Sequence, residues 1–364
     1  MSSDIPLTNP VVTPRDIEAV TDMLRRGRLV DTHNRGLLEQ AAAEMLGVED
    51  TLAAASFSEA MRLALTSMGV EHGSEVVLPA LGQRAWLEAV RGVGATPRFV
   101  DIDPRTQLPD REALDSAIGE DTRIVMVGSS DAGMEGMLEA AAVCQRHEVP
   151  MVELVGCRLG SQCGPAAAGS IGRVAIIDLS PSSLISAGGG GLIATSDSSI
   201  ASACRQHIAT GYAQCLPEPA AALGLSQLHR IEETVERCHQ LAEAYTLHLS
   251  GIPELMLPSP GDTVMPIWSR LVVRLDETFS PNDRDEIIRG MQRHDIETAT
   301  GMVDICSLDD SCCSDQCCPM AHSLSGRSLA LPMHAGLSKR DVELVCQTLR
   351  LMVQRATFRR SEEE

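Results

Sequence analysis

The stretch VAIIDLSPSSLISAGGGGLIATSD, Val174 to Asp197, has the order of a cofactor-holding element: an apolar strand, a Ser/Pro turn, four glycines and a second strand. Gly188 to Gly191 would permit close backbone approach to a ligand, or simply keep the turn before the next strand. The stretch contains no lysine, histidine or cysteine, so an imine or a thiolate cannot form within it. An amine nucleophile has one candidate in the whole chain. Lys339 is the only lysine, and the other 29 basic residues are arginines. GLSKRDVELV places Lys339 in the first exposed turn of a C-terminal helix.

The second chemical feature is sulfur. The chain has 12 cysteines. Cys144, Cys204, Cys238 and Cys346 fall on apolar faces, whereas Cys306, Cys312, Cys313, Cys317 and Cys318 cluster in CSLDDSCCSDQCC. Zinc sites favour C-x2-C pairs and ferredoxin clusters C-x2-C-x2-C; the spacing here is C-x5-C-C-x3-C-C. Adjacent cysteines point in different directions. The segment is therefore read as a flexible, acidic, thiol-rich loop without an assigned metal. Metal or redox chemistry through these five thiols, with His322 as an extra ligand, is the alternative. With no basic-then-apolar signal at the N-terminus, the thiols are expected to be reduced.

These residues must be positioned by regular elements. Thr13 reads as an N-cap, Pro14 as the first helical residue and Gly27 as the residue after the helix. RGLLEQAAAEMLG predicts a second helix. Strands are predicted at Thr51–Ala55, Glu75–Leu78, Pro97–Ile102, Arg123–Val127, Pro150–Leu154, Arg173–Leu179 and Gly191–Thr195, with helices between most of them. Short apolar strands alternating with helices imply parallel pairing with helices on both faces. From Glu218 to Ser250 the 3–4 spacing of Leu228, Ile231, Val235, Cys238, Ala242, Tyr245 and Leu249 predicts one helix, roughly 45 Å long. Beyond it come a strand in VMPIWSRLVVRLD, a capped helix in SPNDRDEIIRGMQRHDI, a strand in RSLALPMH, a final helix, and a disordered tail RRSEEE. Trp86 and Trp268 read as core or interface anchors.

Composition limits the partners. The 364 residues carry a formal charge of −20, which argues against nucleic acid and anionic membranes. No apolar run has the length of a membrane span, and a cytoplasmic location is expected. Aromatic residues make up 2%, so the core is built from Leu, Val, Ile, Ala and Met.

GSEVVLPAL, GATPRFVDIDPRT, AGSIGRVAIIDLSP, GGLIATSD, AALGLSQLHRIEE and RSLALPMHAGLSKRDVELV occur in this order. On these motifs, from about Ile5 to Met352, the chain resembles the DegT/DnrJ/EryC1/StrS sugar aminotransferases, pyridoxal-phosphate enzymes of fold type I. The resemblance implies an α/β fold with a mostly parallel mixed sheet flanked by helices and a smaller C-terminal α+β domain. It implies a large domain over 1–240, a small one over 241–358 and a tail over 359–364. His334 in LPMHAGLS matches the family and reads as structural.

The resemblance also implies where a cofactor site would lie, and there the residues depart from the family. The Schiff-base lysine position is Ser183, and the serine that helps hold the cofactor phosphate falls on Asp178. Like charges at 4 Å repel by about 1 kcal/mol in water and more when buried. The aspartate that pairs with the ring nitrogen falls on Leu154, followed by Cys157 in MVELVGCR. The phosphate turn reads ASFSEAM, with Phe57 in place of glycine, Ser58 able to donate one hydrogen bond, and Glu59 as a second carboxylate. The stacking aromatic falls on Gln83. The motif that reaches across the family dimer reads Gly211-Tyr212-Ala213-Gln214-Cys215, without its amide and arginine.

The expectation is a catalytically degenerate homologue with no cofactor and no catalytic residue, acting as a structural, regulatory or binding subunit. As partners it would have a second copy of itself or an active paralogue, with a nucleotide sugar as possible ligand. The alternative is a pyridoxal-phosphate-dependent aminotransferase acting on a nucleotide-linked keto sugar.

Overall fold

A computed structural model of the protein describes residues 5–363, apart from 28, 30, 31, 129–134, 157, 165, 259–263, 310, 311 and 313–316. The first helix, α1 (Pro14–Arg25), is capped as the sequence predicts. The Thr13 hydroxyl accepts from the Asp16 amide and the Asp16 carboxylate accepts from the Thr13 amide, while Gly27 closes the end at φ 64°. The second helix, α2 (His33–Leu46), is capped from a distance. The carboxylate of Glu218, 3% exposed, accepts from the Asn34 and Arg35 amides at 2.9 and 3.1 Å. A carboxylate there meets both the open N–H groups and the positive end of the helix dipole.

The central sheet uses β1 (Asp50–Ala54), β2 (Glu75–Pro79), β4 (Thr96–Val100), β5 (Thr122–Gly128), β6 (Met151–Gly156), β9 (Val174–Asp178) and β10 (Gly191–Thr195). Their order is β1-β10-β9-β6-β5-β2-β4. The pairs from β9 to β4 are parallel, and β10 runs antiparallel to both β9 and β1, which makes the sheet mixed. Alternate residues face opposite cores. Leu52, Val76, Ile124, Leu154, Ile176 and Ile193 pack with α3 (Phe57–Ser67), α4 (Arg84–Gly92) and α7 (Ser198–Ala209). Ala53, Val77, Val125, Val155, Ala175 and Ile177 pack with α2 and α6 (Glu135–Arg146). Two-residue strands fill the loops: β3 (Leu81–Gly82), β7 (Gln162–Cys163) and β8 (Ala166–Ala167); α5 (Arg111–Ala117) precedes β5.

The single long helix expected over 218–250 is instead two, α8 (Glu218–Leu228) and α9 (Ile231–Leu249). Arg230 leaves the helical path at φ −121°, ψ 19°. Its guanidinium donates to the Val11 carbonyl at 2.5 Å and to Asp16 Oδ2 at 3.0 Å. The break lets α8 serve the sheet core, while Cys238, Leu241, Tyr245 and Leu249 of α9 serve another.

That other core covers a four-stranded antiparallel sheet, ordered β11 (Leu255–Met256), β13 (Leu271–Leu275), β16 (Ser328–Leu331), β14 (Ala299–Thr300). The strand expected across VMPIWSRLVVRLD is also divided: β12 (Val264–Met265) pairs with β7, and β13 joins this sheet. Two more helices, α10 (Pro281–Gln292) and α11 (Pro319–Arg327), flank it, and β15 (Val303–Asp304) pairs with β3. The final helix, α12 (Lys339–Glu363), continues through the segment expected as a disordered tail. Tertiary contacts hold it there: Arg359 bonds Asp283 at 2.8 Å, and Arg360 lies 4.7 Å from the Phe279 ring centre. Trp86 is core, at 6% exposure, and Trp268 packs partly buried against the smaller core. Among the described residues no helix is long and apolar enough to cross a membrane.

Asp16 is fully buried and its partner Arg230 nearly so, with side chains 0% and 12% exposed. Removing one partner of a buried pair strands the other, so Asp16→Ala should cost about 3 kcal/mol in urea unfolding. Burial alone would raise the Asp16 pKa; the hydrogen bonds from Ser226, Thr13 and Arg230 outweigh it and lower it. A carboxylate lowered in the folded state stabilises fully above its unfolded pKa, about 4, and loses that contribution as pH falls through the folded value. Wild type should therefore lose stability below about pH 4 more steeply than Asp16→Asn.

Candidate functional site

The positions compared with the family's cofactor site fall in β6, at the end of β9 and the turn after it, and at the starts of α3 and α4. Leu154 lies in register with Gly128 of β5 and Ile176 of β9, and is 1% exposed within an apolar cluster. The Trp86 indole lies on the same face. A Cβ on Gly128 would fall 2.1 Å from one of its ring carbons, and a Cβ on Gly82 2.3 Å from another. Both glycines are thus required by the indole that covers them. Gln83 is the N-cap residue of α4 without a capping side-chain bond, half-buried, its amide nitrogen 4.0 Å from where a Gly156 Cβ would sit.

The start of α3 is capped by Ser56, whose hydroxyl accepts from the Glu59 amide at 3.0 Å. Phe57 turns into the core, and Ser58 is exposed. The Glu59 carboxylate takes two hydrogen bonds from Arg62, at 2.8 and 3.0 Å, and one from the Gln214 amide at 3.0 Å. Asp178, 5% exposed, accepts from the Ser180 amide at 2.8 Å and the Ser180 hydroxyl at 2.7 Å. Burial raises its pKa and the Ser180 bonds oppose that. Asp178 is thus committed to its own turn, and Glu59 to Arg62 of its helix and the distant Gln214 amide. Ser183 is half-buried, and its amide donates to the Ser180 carbonyl at 2.9 Å. Cys157 lies outside the described residues. Lys339 is exposed at the first turn of α12.

Two of the four glycines answer to sterics, and Gly188 and Gly189 to positive φ, 78° and 148°. A Cβ on Gly190, at φ 114°, would meet Leu216 at 2.5 Å. One on Gly191 would meet Phe57 Cα and the Ala60 methyl, each at 2.9 Å. The run lets the N-terminal turn of α3 press directly on β10. The Gly211–Cys215 segment is held by its own chain: the Ala55 amide donates to the Gln214 carbonyl at 2.9 Å, and Arg62 lies 4.8 Å from the Tyr212 ring centre.

A buried carboxylate on β6 organises the turn before β9. Glu153 is 0% exposed, and its carboxylate accepts from the Gly169, Ile171 and Gly172 amides at 2.7, 3.0 and 3.2 Å. Burial raises its pKa; the three amides oppose that. Its signal was a lone carboxylate inside an otherwise apolar strand, MVELVG.

The thiol loop differs from its sequence reading. Cys306 and Cys312 are joined in a disulfide, so they are not the reduced, mobile thiols expected. Cys306 is 0% exposed, packed with Ala80, Leu81 and Met302, and Cys318 is buried in the same cluster. Burial, with Asp101 and Asp304 nearby, pushes the Cys318 thiol up to about 12. Asp309 pairs with Arg91 at 3.1 Å, and His322, the possible extra metal ligand, faces Asp304 at 3.2 Å. Cys317 is exposed, and Cys313 lies outside the described residues. Among the described residues no three His, Cys, Asp or Glu side chains are grouped to hold a metal.

Thiol reactivity follows exposure and thiolate character. In native protein Cys317 should label first and the half-buried Cys215 more slowly, while Cys144, Cys204, Cys238, Cys318 and Cys346 wait for unfolding. Prior reduction should add Cys312. Peptide mapping after timed alkylation checks this; labelling of Cys306 without reductant would contradict it.

Among solved structures, TlmJ of Streptoalloteichus hindustanus, an aminotransferase, superposes with a TM-score of 0.89 at 26% identity, covering 97% of this chain and 99% of its own. Spr1654 of Streptococcus pneumoniae, assigned as a sugar aminotransferase and solved in a PLP form, gives 0.90 at 21% identity over 97% and 100%. DesI, solved in the presence of its TDP-sugar product, gives 0.87 at 21% over 100% and 97%. The fold is thus that of the type I aminotransferases. The family model described as the DegT/DnrJ/EryC1/StrS aminotransferase family matches residues 10–350, and the chain belongs to that family.

Proposed function

We propose that this chain is a non-catalytic member of its family, using the aminotransferase scaffold as a structural, regulatory or ligand-binding subunit. The reading is carried by two identities: Ser183 in the turn after β9, and Leu154 buried in the apolar cluster. A hydroxyl forms no imine, and an alkyl chain cannot hold a proton on a pyridine nitrogen. Asp178 and Glu59, held by Ser180 and Arg62, present negative charge where a phosphate would need donors. The residues present do not fit pyridoxal phosphate.

Purified protein mixed with pyridoxal phosphate and borohydride should carry no adduct on the segment 177–191 by peptide mass. Ser183→Lys alone should recover no transamination, because residue 154 and the two carboxylates are unchanged. An adduct in that segment, or turnover by the single variant, would instead favour the second reading, an aminotransferase acting on a nucleotide-linked keto sugar. That reading draws on the full-length likeness to TlmJ and on the sugar nucleotide present with DesI.

The subunit reading includes a dimer with a second copy or an active paralogue. Ile17 and Leu24, seven residues apart on one face of α1, are 59% and 52% exposed, which suits a covered surface. Light scattering at micromolar concentration should give twice the chain mass, or that of a mixed dimer when the paralogue is present. A stable monomer under both conditions would remove the subunit role.

A further inference from the structure

Buried polar atoms without hydrogen-bond partners are rare in folded proteins. Among the described residues, those of Gln227, Arg230, Ser269 and His334 belong to side chains that line one cavity of about 40 Å³, while those of Trp86, Gln107 and Ser161 lie elsewhere. Gln227 and Ser269 are 4% and 5% exposed. The Gln227 carbonyl oxygen accepts from the Ser186 amide at 2.8 Å, which leaves its Nε2 with no partner. Arg230 spends its two Nη groups on Val11, Asp16 and Thr234, and its Nε has no partner. The Ser269 hydroxyl has none either. The His334 ring lies beside the Pro6 carbonyl.

This set is rich in donors. Gln227 Nε2 and Arg230 Nε can only donate, and Ser269 can turn its proton the same way. Water accepts two bonds but must place two protons in return. A carboxylate has about four acceptor sites and no proton to place. At roughly 10–15 Å³ per water the cavity has room for about three small atoms, the size of a carboxylate group rather than of a five-atom phosphate. We infer that this cavity is a binding site for the carboxylate group of a small organic acid, held by Gln227, Arg230 and Ser269. The site joins the two halves of the molecule: Gln227 belongs to α8 of the sheet core, and the Met333–Ala335 strap follows β16 of the smaller one. Of the positions compared with the family's cofactor site, only Ser183 is shared, so the inference stands apart from the non-catalytic reading.

The test uses the full chain, free of pyridoxal phosphate, in a buffer with chloride as its only small anion. Acetate is titrated by calorimetry and thermal shift, with inorganic phosphate and added chloride at matched ionic strength as the other arms. Acetate should saturate at one per chain and raise the melting temperature; phosphate and chloride should do neither. Gln227→Glu keeps an acceptor for Ser186 and adds a negative charge, so it should weaken acetate by at least about tenfold. Ser269→Ala removes a hydroxyl that makes no bond in the structure, and should weaken acetate several-fold with unchanged circular dichroism. Should Gln227→Glu fail to fold, Ser269→Ala decides alone. No saturable acetate binding, meaning water only, would overturn the inference. So would phosphate binding as tightly as acetate, or variants that bind acetate as wild type does.

Discussion

The pair between Asp16 and Arg230 sets the arrangement of the rest. Asp16 caps α1 through Thr13, takes the Ser226 hydroxyl of α8 at 2.7 Å, and takes Arg230 at 3.0 Å. The same guanidinium reaches the Val11 carbonyl. Two stretches remote in sequence, 11–16 and 226–230, therefore converge on two buried charges. A buried ion pair survives only when its remaining donors and acceptors are also satisfied. The planar guanidinium has a fixed fork, and meeting it requires the backbone at Arg230 to leave the helix. The division of the molecule into two cores, one behind α8 and one behind α9, is the geometric consequence. So is the orphaned Arg230 Nε beside the Ser183 turn.

The same rule governs the strand ends. Glu153, Glu218, Asp178 and Glu59 each find donors inside the chain: backbone amides for the first two, Ser180 for the third, and Arg62 with an amide for the fourth. Such carboxylates build turns and caps, and reorienting one toward a ligand would first break two or three charge-assisted bonds. At 154 and 86 the space is filled by a leucine and an indole instead. Both belong to the apolar junction between α3, α4 and the sheet. Packing of this kind resists single substitutions, because each neighbour has been shaped to the one beside it.

Glycine makes the closure possible. Gly82 and Gly128 give way to Trp86, and Gly190 and Gly191 give way to Leu216 and the first turn of α3. In sequence, GGGG looks like a ligand loop. In the fold Gly188 and Gly189 supply positive φ in open space, while Gly190 and Gly191 mark close approaches of Leu216 and of the first turn of α3.

Much of the architecture was legible in the sequence. Alternation and apolar runs placed all seven strands of the central sheet within a residue or two, because side-chain period follows directly from backbone geometry. The Thr13-Pro14 start and the Gly27 end of α1 were equally local signals, complete within a few residues. The identities at 154 and 183 were also plain from the sequence alone. What it left undecided depended on partners distant along the chain. Apolar spacing runs unbroken through 228–249, yet the helix breaks at Arg230, whose guanidinium is held by the Val11 carbonyl and by Asp16, 214 residues away. RRSEEE reads as a loose end until Asp283 and Phe279 hold Arg359 and Arg360. Five clustered cysteines look alike in a row; burial separates Cys306 and Cys318 from Cys317. Local periodicity is written in neighbouring residues, whereas burial, pairing and an unfilled cavity arise only when remote segments share one volume.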